Sequence, residues 1–319
     1  MTEPTVHDLS PTAQEFLSAV RAGLTSSPKT LPCKFLYDET GAILFEAICT
    51  LDSYYPTRTE QLILDRFSPE MARAIGPRAR VVEPGAGSLT KVKTLLGAME
   101  DPAEYVPIDI AMEQLDDAAT NLAREFPGVL VKPVCADFTK PMDLPEKGDS
   151  VERTVVFYPG STIGNFEPEA AIGFLERMRR LAGDDGHVLL GVDLAKDQET
   201  LRDAYDDPAG VTAAFNKNLL SHINRELGAD FDVREFQHRV RFETDPNRVV
   251  LSLISKSDQT VRLDGEAIEF RAGEEVVTEY SHKPTIADFT KIAAAADLEV
   301  LQSWTDDNDW FSVHLLKSR

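Results

Sequence analysis

Apolar positions along the 319-residue chain follow two regimes. From Thr59 to Leu194, short β-branched or aromatic runs alternate with segments whose apolar residues recur at helical spacing. Helices are predicted at Glu60–Ala74, Lys91–Met99, Met112–Phe126 and Pro168–Ala182. Strands are predicted at Arg80–Glu83, Tyr105–Ile110, Val129–Phe138, Arg153–Tyr158 and Gly186–Leu194. Strands alternating with helices in this way predict an α/β, parallel, doubly wound sheet. Between Ala195 and Pro284 the alternation stops. Two helical stretches, Gln198–Tyr205 and Val211–Leu227, precede period-two runs (VREFQHRVRFE, RVVLSLISK, TVRL, AIEFRAG and EEVVTEYSH) that read as one antiparallel meander, with turns at Asp245-Pro246-Asn247 and Asp264-Gly265. An Ala-rich helix, Ile286–Ala296, then leads into strands Leu298–Trp304 and Trp310–Leu316, joined by a hairpin-like turn. Upstream, an amphipathic helix is expected from Ser10 to Leu24. An aromatic-rich segment from Leu31 to Glu60 follows, with a short helix at Gly41–Thr50.

Composition narrows the class. With 42% hydrophobic and 27% charged residues the chain reads as an ordinary soluble globular protein of one large or two modest domains. A formal charge of −21 argues against nucleic acid, whose phosphates recruit clustered Lys and Arg. The three cysteines, Cys33, Cys49 and Cys135, are widely spaced and form no Cys-x-x-Cys pair, so reduced thiols are expected. The six histidines lack metal-ligand spacing, and no metal site is inferred. No apolar run reaches membrane-spanning length and nothing near Met1 resembles a signal peptide, so a cytoplasmic monomer acting on a small molecule is expected.

The chemistry starts at ARVVEPGAGS, residues 79–88, where a strand meets a glycine turn and then a helix. Glycines let the backbone approach a ligand, and the helix start offers unpaired N–H groups. A dinucleotide fingerprint requires a third glycine, and that position is Thr90. S-adenosylmethionine requires instead an acidic residue and Gly-x-Gly at the first strand, an acid ending the second and an Asp after the third. Glu83, Gly85 and Gly87, then Asp109, then Asp137-Phe138 meet that pattern, although Pro84 makes the turn atypical. Asp109 can accept from ribose hydroxyls, and Asp137 from an adenine amine beside the aromatic Phe138.

More distinctive strings lie elsewhere: Phe35-Leu36-Tyr37-Asp38, Tyr54-Tyr55-Pro56-Thr57-Arg58-Thr59-Glu60, Gly160-Ser161-Thr162-Ile163-Gly164-Asn165-Phe166, Gly191-Val192-Asp193-Leu194 and Thr278-Glu279-Tyr280-Ser281. Through them the chain resembles the histidine-specific Nα-methyltransferases of ergothioneine biosynthesis over nearly its whole length. The resemblance implies a class I methyltransferase Rossmann-like domain at 60–196 and 285–319. It also implies an α+β substrate-binding domain at 1–59 and 197–284. It implies that S-adenosylmethionine is held by Gly85, Lys91, Asp109, Asp137 and Phe138. It further implies that the carboxylate of histidine meets Asn165 and Tyr205, its amine meets the catalytic Tyr54, and its imidazole meets Glu279 and Ser281. Tyr37 is implied beside the ring, and Thr212 as holder of a water near the amine. The family pattern leads one to expect a methionine where this chain has Leu251.

The implied reaction is trimethylation of the α-amine of L-histidine to hercynine, the first step of ergothioneine biosynthesis. An N-methyltransferase for another amino acid, such as a tryptophan derivative, is the enzymatic alternative; a non-catalytic nucleotide-binding protein is the other.

Overall fold

The computed structural model describes residues 7–9, 12–87, 89–110, 112–140 and 142–319. The chain forms two units. One contains the strand His7–Leu9 with Pro56–Leu194 and Pro284–Arg319; the other contains Thr12–Tyr55 and Ala195–Lys283. These edges depart from the expected 1–59 and 197–284, because His7–Leu9 pairs with Val134–Ala136 of the larger sheet. Residues Ser10 and Ser88, which begin one expected helix and end the glycine stretch, lie outside the described residues.

The larger unit is built on a nine-stranded sheet. Its order is His7–Leu9, Val134–Ala136, Glu104–Asp109, Ala79–Pro84, Arg153–Tyr158, His187–Asp193, Phe311–Ser318 and Leu298–Thr305, with Leu130–Val131 paired to Glu104–Asp109. Pairing is parallel as far as His187–Asp193; the terminal pair is antiparallel. The strands Ala79–Pro84 and His187–Asp193 are buried throughout, as a sheet covered on both faces demands. Val81, Val155, Leu189 and Val313 pack one face, and Val82, Val156, Val188 and Leu190 the other. This is the topology of a class I methyltransferase sheet. Strand order reverses between Ala79–Pro84 and Arg153–Tyr158, and the carboxyl ends at such a switch point open the crevice where ligands bind.

Two elements differ from expectation for reasons of backbone chemistry. The single strand predicted at Val129–Phe138 is broken into Leu130–Val131 and Val134–Ala136 around Pro133, which has no N–H to give to a ladder. The helix expected from Glu60 starts at Tyr55 and runs to Ile75; Pro56 sits in its first turn, where no intrahelical N–H bond is needed.

The smaller unit has a four-stranded sheet in the order Lys29–Thr30, Glu275–His282, Asn247–Ser255 and Phe236–Thr244. The meander is not continuous. Among the described residues, Gln259–Leu263 and Glu266–Phe270 pair only with each other, and Glu275–His282 returns to Asn247–Ser255. Helices Ala13–Thr25 and Val211–Leu227 share its core through Val20, Leu24, Phe215, Leu219 and Ile223. Among the described residues no helix is long and apolar enough to cross a membrane.

Candidate active site

The glycine turn of the larger unit is fixed by its neighbours. Gly85 and Gly87 both take left-handed backbone angles, φ +69° and +51°, which glycine adopts without strain. The N–H groups of Gly85 and Ala86 donate to the Ile108 carbonyl at 2.7 and 3.1 Å, and Gly87 N–H donates to Asp109 Oδ2 at 3.1 Å. A Cβ at Gly85 would stand 3.2 Å from Phe138 Cε1, so the turn and the ring together form a narrow cradle. Asp137 is buried and accepts from Thr139 N–H at 3.0 Å. Phe138 meets Tyr158 and Phe174 edge-on at 5.9 and 6.2 Å, which holds its ring in place. These residues fit S-adenosylmethionine: a glycine cradle, a carboxylate with acceptor capacity beyond its bond to Gly87, and a buried acid beside an aromatic wall.

Two buried carboxylates adjoin this cradle: Glu83, the acid of the expected first-strand pattern, and Glu60, to which sequence reasoning gave no role. Glu83, 2% exposed, accepts from the Tyr105 hydroxyl. Burial lifts its carboxyl to about 8, against the opposing pull of the Tyr105 hydrogen bond and of Lys91. Glu60, 1% exposed, accepts from Gly160 N–H at 2.8 and 3.0 Å and pairs with Lys91 Nζ at 2.5 Å. Lys91 therefore reaches the cradle already tied to a buried acid, with donors to spare for a further acceptor. Gly191 makes room for this: a Cβ there would lie 2.0 Å from Glu60 Oε1. The strings Thr57-Arg58-Thr59-Glu60, Gly160-Ser161 and Gly191-Val192-Asp193 thus converge on one carboxylate. Asn165 ends the 3₁₀ turn Thr162–Asn165, which follows Ser161; the Ser161 Oγ accepts from Asp193 N–H at 2.8 Å.

In the smaller unit, Tyr37 precedes the helix Glu39–Thr50, and Asp38 caps that helix through Gly41 N–H at 2.8 Å. Asp38 is in turn held by Asn218 at 2.6 Å and Arg225 at 2.7 Å, so the Phe35-Leu36-Tyr37-Asp38 string is a tethered cap that aims Tyr37. Tyr37 packs edge-on against Phe45 and Phe215, and Tyr54 edge-on against Phe45 and Tyr205. Burial drives both the Tyr37 and Tyr54 phenols well above the usual range, with the Glu279 charge adding to each. Both therefore stay protonated at neutral pH. Tyr205 ends the helix Gln198–Tyr205, and its carbonyl lies 3.3 Å from His238 Nε2. Thr212 is set by Asp207, which accepts its backbone N–H at 2.8 Å.

Glu279 and Ser281 share one face of the strand Glu275–His282, and Leu251 stands opposite Glu279 in the ladder. Burial raises the Glu279 carboxyl to about 7, with Lys283 opposing. The Ser281 hydroxyl lies 3.0 Å from the Tyr205 hydroxyl. The smaller unit thus brings Tyr37, Tyr54, Tyr205, Glu279 and Ser281 into one cluster of phenols with an acid and a hydroxyl. That set can read an imidazole by polar contacts and present aromatic surface to an amine.

Comparison with known proteins agrees with this chemistry. A family model described as histidine-specific methyltransferase, SAM-dependent, matches residues 16–318. The chain is similar to a histidine N-alpha-methyltransferase of Mycolicibacterium smegmatis, 41% identical over 302 residues that cover 93% of this chain and 92% of that protein. It is 39% identical to a histidine N-alpha-methyltransferase of Mycobacterium tuberculosis, over the same shares. It is also 29% identical to ergothioneine biosynthesis protein 1 of Neurospora crassa, covering 92% of this chain and 34% of that longer protein. The chain belongs to the family of histidine-specific, S-adenosylmethionine-dependent methyltransferases.

Proposed function

We propose that this enzyme methylates the α-amine of L-histidine three times in succession, giving hercynine as the first step of ergothioneine biosynthesis. The observation that carries the reading is the pairing of Glu279 and Ser281 on one strand face beside three phenols, a donor and acceptor set suited to an imidazole. Relatives with histidine N-alpha-methyltransferase in their names support the same acceptor.

Bound S-adenosylmethionine supplies an electrophilic sulfonium methyl; Gly85, Lys91, Asp109, Asp137 and Phe138 are the residues proposed to hold it. Acceleration then comes chiefly from positioning the amine. A free α-amine has a pKa of about 8, so its neutral form is accessible with modest help. Tyr54, protonated at neutral pH, is an orienter: its oxygen accepts an amine N–H in the first two transfers and leaves the lone pair directed at the methyl. A water beside Thr212 takes up the proton that nitrogen loses after each of the first two transfers; the third forms a quaternary ammonium and releases none. Asn165 and Tyr205 donate to the substrate carboxylate, Tyr37 packs beside the ring, and Glu279 accepts the imidazole N–H.

The test is incubation of the protein with S-adenosylmethionine and a panel of amino acids, followed by mass spectrometry. Methylation of histidine on its α-nitrogen is expected. Turnover of tryptophan derivatives in preference to histidine would refute the acceptor assignment.

A further inference from the structure

Glu279, Ser281 and Lys283 recur at every second position at the end of the strand Glu275–His282, yet only the first two have a role so far. Lys283 is 1% exposed. Its ammonium donates to the Tyr205 hydroxyl and to Ser281 Oγ, each at 2.7 Å, and those two hydroxyls stand 3.0 Å apart. The three side chains close a triangle, with the ammonium 4.9 Å from the centre of the Tyr205 ring.

An ammonium carries donors only, so both oxygens accept from it. The two hydroxyls can share just one of their two protons between them. The other is directed out of the triangle. Lys283 thereby decides which way the hydroxyl pair donates and makes it a stronger donor, because a cation bonded to a hydroxyl oxygen draws charge away from its proton. A buried cation also favours an anion close by.

We infer that Lys283 is a positioning residue that selects acceptors carrying a free carboxylate: it turns the Tyr205–Ser281 hydroxyl pair outward as a donor and supplies the positive charge that a carboxylate bonded by Tyr205 requires. The inference rests on the reading of the acceptor as an amino acid bound through its carboxylate.

The test compares L-histidine with L-histidinamide, which keeps the amine and imidazole and loses the carboxylate. Binding to the full-length chain in the presence of S-adenosylhomocysteine is measured by calorimetry, with turnover measured alongside, for wild type and for Lys283→Met, Lys283→Gln and Lys283→Arg. Lys283→Met is expected to weaken histidine roughly 10- to 100-fold, in Kd and KM more than in kcat, as loss of a charge-assisted contact does. The preference for histidine over histidinamide should shrink by the same factor, and Lys283→Arg should restore most of it. If Lys283→Met does not fold, Lys283→Gln keeps a donor without the charge and must show the same loss of preference. Equal weakening of both ligands, or an unchanged preference, would overturn the inference. Failure of the wild type to bind or methylate histidine at all would instead overturn the function on which it rests.

Discussion

Replacing Glu279 tests the proposed recognition of imidazole most sharply, because the acid is half-buried and its carboxyl titrates near neutrality. Burial raises it to about 7, so the ionised, accepting form is present above that pH and is lost as pH falls through it. A hydrogen bond to a charged group contributes about 1.5–3 kcal/mol, so Glu279→Ala should weaken histidine roughly 10- to 100-fold at a pH near 8. Glu279→Gln keeps an acceptor oxygen and loses only the charge. Its deficit should be about tenfold near pH 8, since a neutral hydrogen bond still contributes about 1 kcal/mol. Near pH 6 the wild type carries a protonated Glu279 and should bind little better than the Gln variant. Calorimetry of histidine binding across this range, with S-adenosylhomocysteine present, reads the difference directly. The titration of free histidine's imidazole is common to both proteins, so a difference between their profiles reports Glu279 and the ring bound to it. Parallel pH profiles for wild type and Glu279→Gln would refute the assignment of Glu279 to the imidazole.

Two further outcomes follow from the same geometry. Tyr54→Phe removes the oxygen proposed to orient the amine, and it should shift the proportions of mono-, di- and trimethylated product in a timed mass-spectrometric assay; an unaltered product profile would show that Tyr54 does not touch the nitrogen. Glu83→Gln should make stability less dependent on pH. The folded chain holds the Glu83 proton up to about 8 and the ordinary carboxyl value is 4.5, so wild-type stability from this group is full below 4.5 and falls as pH rises through 8. The Gln variant lacks that slope. Its melting temperature should exceed that of the wild type by several degrees near pH 9 and by less near pH 6, a gap of a few kcal/mol at most. A constant difference across this range would contradict burial of an acid that stays protonated.

Several strands and helices of the larger unit were legible as apolar runs or helical repeats bounded by Gly or Pro; Arg153–Tyr158 and Pro168–Ala182 fall where their patterns put them. What escaped depended on pairing rather than pattern. Val261 and Ile268 alternate like their neighbours, yet their hairpin pairs with itself, a choice of partner that period-two alternation cannot express. His7–Leu9 is too short to carry a pattern at all. The acids Asp109 and Asp137 were readable as ends of consecutive strands, which the topology brings together. Glu60 was visible only as the last letter of a distinctive string; its role depends on Gly160 and Gly191, far away in sequence. Lys283 did have a sequence signal. It continues the alternation of Glu279 and Ser281 by one more step, just past the point where the strand ends.

The proposed function requires one acceptor nitrogen to receive three methyl groups. The most direct measurement is a time course of L-histidine with excess S-adenosylmethionine, in which products are resolved by mass spectrometry and the methylated atom is located by fragmentation. Mono- and dimethyl intermediates on the α-nitrogen are expected to converge on trimethylhistidine, with three S-adenosylhomocysteine released for each histidine consumed. Methylation of an imidazole nitrogen, or a reaction that stops after one methyl, would contradict that function.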